Sequence, residues 1–319
     1  MKTFIQVNDL GDLKLAVKEA LEIKKNRFAY KKLGEDKTLL MVFFNSSLRT
    51  RLSTQKAAMN LGMNTIVLDI NQGAWRLETE KGVIMDGDKS EHLLEAIPVM
   101  GCYCDIIGVR SFARLENKEE DYSEYILQQF IQYSGRPVFS MEGATTHPLQ
   151  AFADLITIEE FRDKPRPKVV MSWAPHPKAL PQAVPNSFAD FMNEADVDFV
   201  ITHPEGYELD PRFVRGAKIE YNQEKAFEGA DFIYAKNWSI FADDHYGQIG
   251  CSDKKWTIDA AKMRLTNHAK FMHCLPVRRN VIVTDEVIES PQSIVIPEAA
   301  NREISCETVL KRMLESIQE

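Results

Sequence analysis

The chain has 319 residues, 44% hydrophobic and 27% charged, with a formal net charge of −8. That length predicts two domains with full-sized cores. The acidic balance argues against nucleic acid or an anionic membrane as the main partner, while leaving room for a local basic pocket, and no apolar run approaches membrane-spanning length.

The cysteines, Cys102, Cys104, Cys251, Cys274 and Cys306, show no metal-ligand spacing. Cys102 and Cys104 lie in an apolar run and read as small buried hydrophobes. Acidic residues occupy the N-terminal segment where a signal peptide needs an apolar core. These features predict a reduced, cytoplasmic protein.

Asn8 to Asp12 reads as a turn and helix cap, after which Leu13, Val17, Ala20 and Leu21 recur at helical spacing. Thr38 to Phe44 is a continuous apolar run, predicted to be a strand buried on both faces. Asn45-Ser46-Ser47 breaks it, and helix-forming residues follow from Arg49. Ser47-Leu48-Arg49-Thr50-Arg51 therefore stands where a strand turns into a helix. There the first backbone N–H groups lack intrahelical partners and the dipole favours an anion. Arginine's planar fork matches phosphate oxygens two at a time. Taken alone, the turn fits a capping serine before a solvated basic stretch equally well. It is not the G-x-x-x-x-G-K-[ST] loop.

Thr65 to Ile70 predicts a second strand, followed by a polar loop from Asn71 to Ser90 that contains Gly73, Trp75 and Gly87. Trp75 in such a loop either packs on its own domain or touches a neighbouring subunit or a substrate. His92 to Met100 is apolar at helical spacing. Asp105 to Arg110 is a strand whose last residue falls where open α/β sheets bind ligands. A helix over Tyr122–Tyr133 and a strand over Pro137–Met141 follow. Pro148 suits the first position of a helix that continues through Gln150, Asp154 and Leu155.

The second half repeats the rhythm. Strands are expected at Lys168–Trp173, Val197–Thr202, Ala230–Tyr234 and Phe271–His273. Helices are expected at Ser187–Asn193 and Asp259–Leu265, with a last amphipathic helix from about Glu298 to Ile317. The predicted fold is α/β: two doubly wound domains with parallel central sheets, joined by crossing helices. The expected division is 1–147, with a C-terminal helix 298–319 packing back, and 148–297.

Groups suited to anions or protons recur at strand ends: Ser47–Thr50, Arg110, His147 with Gln150, and His273-Cys274-Leu275-Pro276. Arg302 joins them at the start of the last helix. Each alone reads as a cap or a surface charge; together they would line a cleft between domains. In this order and at these separations, S-x-R-T-R, H-P-x-Q and H-C-L-P resemble the aspartate/ornithine carbamoyltransferase family. The resemblance runs over nearly the whole chain, to Asn301-Arg302.

That resemblance implies carbamoyl phosphate on the N-terminal domain and the amino acid on the C-terminal one. It also implies a homotrimer with sites at subunit contacts. Ser47, Leu48, Arg49 and Thr50 would take the phosphate. Arg110 and His147 would reach the carbonyl oxygen, where negative charge builds. Gln150, Arg302 and the backbone carbonyls of Cys274 and Leu275 would hold the carbamoyl amide, Arg302 counting among the catalytic groups. Trp75 would enter from the adjacent subunit. No metal or organic cofactor is implied.

Members acting on free ornithine carry D-x-W-x-S-M-G; here the matching stretch reads Lys236-Asn237-Trp238-Ser239-Ile240-Phe241. A lysine repels an α-ammonium and suits a carboxylate. Their Asn-Asn pair is Gln182-Ala183 here, in a proline-rich loop, and Arg278 and Arg279 follow H-C-L-P. This resembles the N-acylornithine branch, which implies that Glu142, His176, Lys236 and Arg278 contact the acylated amino acid. Acetyl members tend to carry Glu before His92 and succinyl members Pro; this chain has Ser90, which does not repel a succinyl carboxylate. The expected substrate is N-succinyl-L-ornithine, in arginine biosynthesis. N-acetylornithine ranks next, then free ornithine, then a catalytically silent carbamoyl phosphate binder, which should have lost Arg110, His147 or an H-C-L-P residue.

Overall fold

The computed structural model describes residues 1–70, 72, 75–251 and 253–318; Gly73 of the expected loop lies outside them. The N-terminal half carries β1 (Thr3–Phe4), α1 (Leu13–Lys25), β2 (Thr38–Phe43), α2 (Arg49–Asn60), β3 (Asn64–Asp69), β4 (Leu77–Glu78) and β5 (Glu91–His92). It continues through α3 (Leu93–Cys102), β6 (Ile106–Arg110), α4 (Lys118–Tyr122), α5 (Tyr125–Tyr133) and β7 (Val138–Glu142). After α6 (Pro148–Phe161) come β8 (Lys168–Trp173), α7 (Ala183–Glu194), β9 (Asp198–Thr202), α8 (Pro211–Val214), β10 (Lys218–Ile219), α9 (Gln223–Phe227) and β11 (Phe232–Lys236). The chain ends with α10 (Ala260–Met263), β12 (Lys270–Met272), α11 (Asp285–Ile288) and α12 (Val295–Gln318).

The strands form two five-stranded sheets, ordered β1-β7-β6-β2-β3 and β10-β9-β8-β11-β12, and β4 pairs with β5. Every ladder is parallel. This is the expected pair of doubly wound sheets. Their inner strands are buried along almost their whole length, as helices on both faces require. The largest core includes residues of both sheets together with α6, α7 and α12, so the long helices unite the two halves.

Several boundaries differ from the sequence expectation. The last helix begins at Val295, not Glu298, and α7 begins at Ala183, not Ser187. Pro297 and Pro185 occupy first turns, where the missing N–H costs no helical bond. Gln182 is thus the residue flanking a helix rather than part of a loop. The expected 122–133 helix is broken at Glu124, whose φ of 50° is left-handed. The expected 71–90 loop contains β4. β11 runs on to Lys236, which therefore sits in the strand itself. β1 is too short for periodicity to reveal.

Asn301 of α12 ties the crossing helices together. Its Nδ2 donates to Thr157 Oγ1 at 2.9 Å and Glu160 Oε2 at 2.7 Å on α6, and its Oδ1 accepts from Lys24 Nζ of α1 at 2.8 Å. The side chain is fully buried. Asn301→Ala should lower unfolding free energy by about 2 kcal/mol, because it strands buried partners. Denaturant unfolding at fixed protein concentration checks this, and an unchanged midpoint would remove the bridge from the account.

Candidate active site

In each sheet the strand order reverses next to a central strand: between β2 and β6 in the first, and between β8 and β11 in the second. Such switch points open a crevice at the strands' carboxyl ends. Ser47–Thr50 follow β2, and Arg110 ends β6. His176 follows β8, and Lys236 ends β11. The expected site residues thus come from sequence-distant strands with a common topological reason. A cavity of about 830 Å³ opens beside the first switch point, lined by Phe44, Asn45, Ser111 and Phe112 from beyond β2 and β6, with Arg76 and Lys89 but also Glu120, Asp121 and Glu124; Ser47–Thr50, Arg110 and His147 do not line it.

Thr50 is the hub. Its hydroxyl accepts from Arg110 Nη1 at 3.0 Å and from Arg302 Nη2 at 3.1 Å. Its own N–H donates to Ser47 Oγ at 3.2 Å, so Ser47 does cap the turn. Arg302 Nη1 also donates to Gln150 Oε1 at 2.6 Å. Arg110 pairs with Glu142 at 2.7 Å. A register shift in the β6–β7 ladder puts Arg110 opposite Glu142 instead of Met141, the local re-aiming that a bulge provides. The Nε atoms of Arg49, Arg110 and Arg302 are buried without a hydrogen-bond partner among the described residues. Burial pulls the pKa values of Arg110 and Arg302 below the ordinary arginine value. An anion bound among them would reverse that shift.

His147 flanks α6 with Pro148 at the first helical position, and its ring caps nothing. The backbone N–H donates to Ser187 Oγ at 2.7 Å, Nε2 lies 3.5 Å from Glu142 Oε2, and Nδ1 is buried without a partner. Burial, reinforced by Arg302, Arg110, Arg49 and Lys236, holds its pKa well below the usual histidine range. His273 is likewise kept neutral by burial, then by Lys236 and Arg49. His273 Nδ1 accepts from Leu275 N at 2.8 Å, so the ring proton sits on Nε2, which is buried and unpartnered. At Leu275 the backbone takes a left-handed φ of 55°. The carbonyls of Cys274 and Leu275 accept no hydrogen bond among the described residues. Burial pushes the Cys274 thiol up to about 11, which keeps it uncharged.

Lys236 is 8% exposed and has no hydrogen-bond or ion-pair partner for its ammonium among the described residues. His176 lies within electrostatic reach of Lys236 and Arg278, and burial, followed by those cations, lowers its pKa despite a compensating bond to Lys178 O. Arg278 is exposed. Trp75 and Ser90 do not join the cluster. Trp75 is 60% exposed and donates to Glu91 at 2.9 Å, and Ser90 N donates to Arg76 O at 3.2 Å. Leu48 is exposed on the α2 turn.

Sequence reading missed supports behind this surface. Glu124 accepts from Ala144 N, Thr145 N and Thr145 Oγ1, bracing the turn that leads to His147. Asp154 and Glu298 are fully buried beneath Gln150 and His273. A carboxylate on the apolar face of a helix was the available signal for both.

Residues 2–160 match the family model for the aspartate/ornithine carbamoyltransferase carbamoyl-P binding domain, and residues 181–313 match that for the Asp/Orn binding domain. The chain is 74% identical to an N-succinylornithine carbamoyltransferase from Bacteroides fragilis, over 99% of this chain and 100% of that one. It is 36% identical to an N-acetylornithine carbamoyltransferase from Xanthomonas axonopodis, over 95% and 93%. Among solved structures it matches a glutamate-to-serine mutant of N-acetyl-L-ornithine transcarbamylase complexed with carbamyl phosphate and N-succinyl-L-norvaline. That match has a TM-score of 0.90 and 34% identity, covering 98% of this chain and 100% of that one.

The neutral histidines give a pH signature. The unfolded chain protonates them below about 6.5, whereas the fold resists, so stability is full above that value and falls as pH drops through it. His273→Gln should flatten this acid slope in melting temperature between pH 7 and 5. An identical slope in the variant would mean that His273 titrates freely in the fold.

Proposed function

The chain belongs to the aspartate/ornithine carbamoyltransferase family, and we propose that it carbamoylates the δ-amino group of N-succinyl-L-ornithine. Carbamoyl phosphate is the donor, the products are N-succinyl-L-citrulline and phosphate, and the reaction serves arginine biosynthesis. The observation that carries this reading is positive charge that the surrounding carboxylates compensate only in part. Arg49, Arg110, Arg302 and Lys236 act together on one buried histidine, and Glu142 is the carboxylate that pairs within the group. Carbamoyl phosphate and a doubly carboxylated amino acid supply the missing negative charge. Free ornithine would bring an α-ammonium against Lys236; acylation removes that charge.

In this reading Ser47, Leu48, Arg49 and Thr50 hold the phosphate. The δ-nitrogen forms the new C–N bond, and the carbonyl oxygen gains charge toward Arg110, Arg302 and the neutral His147. The C–O bond to phosphate then breaks, and the leaving phosphate takes the amine proton. Gln150, Arg302 and the carbonyls of Cys274 and Leu275 hold the carbamoyl amide. Glu142, His176, Lys236 and Arg278 hold the acylated amino acid. Positioning and electrostatics supply most of the rate. The 1–147 segment, with residues 298–319 packing back, would bind carbamoyl phosphate, and 148–297 the acylornithine. The succinyl assignment is supported by the name of the 74% identical relative. It is also supported by Ser90, since the glutamate-to-serine mutant of the acetyl enzyme is complexed with a succinyl compound.

We further infer a cytoplasmic homotrimer in which Trp75 and Ser90 complete a neighbour's site. Val83, Ile84 and Met85 are exposed in the same loop, an apolar patch that a neighbouring subunit would cover.

The test is turnover of ornithine, N-acetylornithine and N-succinylornithine with carbamoyl phosphate. N-succinylornithine should be best and ornithine inactive, and Ser90→Glu should invert the order of the two acylated substrates. Ornithine as best substrate would overturn the reading of Lys236. Arg49→Ala should lose about 2–4 kcal/mol of transition-state stabilisation. Mixed trimers of Trp75→Ala and Arg49→Ala subunits should regain activity, because one interface carries both intact residues; no recovery in verified mixed trimers would return Trp75 to its own subunit.

A further inference from the structure

Two carboxyl groups lie buried behind the site, and the reaction as described does not use them. Asp154, on α6, accepts from Gln150 Nε2 through Oδ1 at 2.7 Å. Glu298, in the first turn of α12, accepts from His273 N through Oε2 at 2.8 Å. Both side chains are 0% exposed. Among the described residues the remaining oxygens, Asp154 Oδ2 and Glu298 Oε1, are buried without a hydrogen-bond partner, as is the Tyr234 hydroxyl that neighbours Asp154. Arg302 meets Gln150, Asn301 meets Thr157 and Ser305 meets Leu149, so α6 and α12 run antiparallel, and Asp154, one turn after Gln150, faces Glu298, one turn before Arg302. Two carboxylates cannot face each other in a dry interior without a proton between them.

We propose that Glu298 carries a proton that it donates to Asp154, and that this hydrogen bond positions the carbamoyl end of the site from behind. One proton satisfies both orphaned oxygens. It leaves the pair with a single negative charge on Asp154, next to Gln150 and in electrostatic reach of Arg302. That charge fixes the Gln150 amide with its NH₂ toward Asp154 and its oxygen toward Arg302 Nη1, the orientation seen. On the other side, Glu298 Oε2, the carbonyl oxygen of the protonated group, accepts from the His273 N–H at the entry to the His273–Pro276 turn. The pair thus ties α6 and α12 to the turn that follows β12.

The surroundings agree with this protonation. Burial, then Asp154, raises the Glu298 pKa well above the ordinary carboxyl value, and burial also raises that of Asp154. The charged or titratable groups facing the pair are Arg302, Tyr234, His273 and Cys274. The Tyr234 hydroxyl is held neutral by burial and by Asp154, the His273 ring is neutral, and the Cys274 thiol is protonated. Arg302 is the cation that offsets the remaining charge.

The positioning role rests on the carbamoyl-transfer reading; the shared proton does not. Infrared spectra of the full-length protein at pH 8 should show a protonated-carboxyl band that shifts in D₂O and is missing from Glu298→Gln. Glutamine keeps an acceptor for His273 N and a permanent donor for Asp154, so Glu298→Gln should retain kcat within about threefold, whereas Glu298→Ala should lose roughly 10²-fold in kcat with less change in KM for carbamoyl phosphate. A wild-type spectrum without the band, or a band that survives in Glu298→Gln, overturns the shared proton. A fall in kcat for Glu298→Gln as deep as for Glu298→Ala overturns the positioning role. Should Glu298→Ala fail to fold, a loss above about tenfold in folded Glu298→Gln overturns it instead. A wild-type band without carbamoyl transfer would sink the proposed reaction and leave the shared proton standing.

Discussion

Arg110 and Arg302 both donate to one hydroxyl, Thr50 Oγ1, and the fold must hold these like charges together without a full set of counterions. Two unit charges ~4 Å apart at an effective dielectric of ~20 repel by about 4 kcal/mol. Glu142 offsets part of that through its pair with Arg110. Asp154, within electrostatic reach of Arg302, offsets another part, and packing bears the rest, chiefly in the core that runs through α6, α7 and α12. A cation cluster held in this way is preorganised: an incoming anion finds its donors already aimed, and little reorganisation is left for the reaction itself.

The sheets determine where that charge gathers. The strand order in both halves reverses beside a central strand, so the chain delivers loop residues to one crevice per sheet. α6 and α12 then supply Gln150 and Arg302 from outside the strands. Arg302 reaches Thr50 of α2 and Gln150 of α6 with one guanidinium. The fork geometry makes arginine the fitting residue, since lysine's single ammonium cannot hold two such partners in a plane.

Much of this was legible in the sequence. Continuous apolar runs such as Thr38–Phe43 and Lys168–Trp173 mark strands covered on both faces, and the intervening helical spacing gives the doubly wound fold. That Ser47, Thr50, Arg110, Gln150 and Arg302 come together was legible because they stand at strand and helix ends in such a fold. The helix starts at Ala183 and Val295 were hidden by Pro185 and Pro297, which look like loop residues until their place in a first turn is known. The Arg110–Glu142 register could not be read, because a bulge leaves no period to detect. Asp154 and Glu298 stand on apolar helix faces, a signal of burial, but only tertiary packing decides that they come to lie behind Gln150 and His273.

The two buried histidines bear on why such a site releases what it binds. A cationic His147 would add another full charge to a group already rich in arginine and lysine, and would strengthen the hold on every anion alike. Binding substrate, product and transition state equally tightly does not raise turnover. Burial and the surrounding cations instead keep the imidazole neutral. A neutral N–H still polarises a carbonyl oxygen, and its interaction grows as that oxygen gains charge, so its contribution is greatest at the transition state. The permanent charges would then serve mainly to bind and orient, and the neutral ring would supply a term that increases along the reaction.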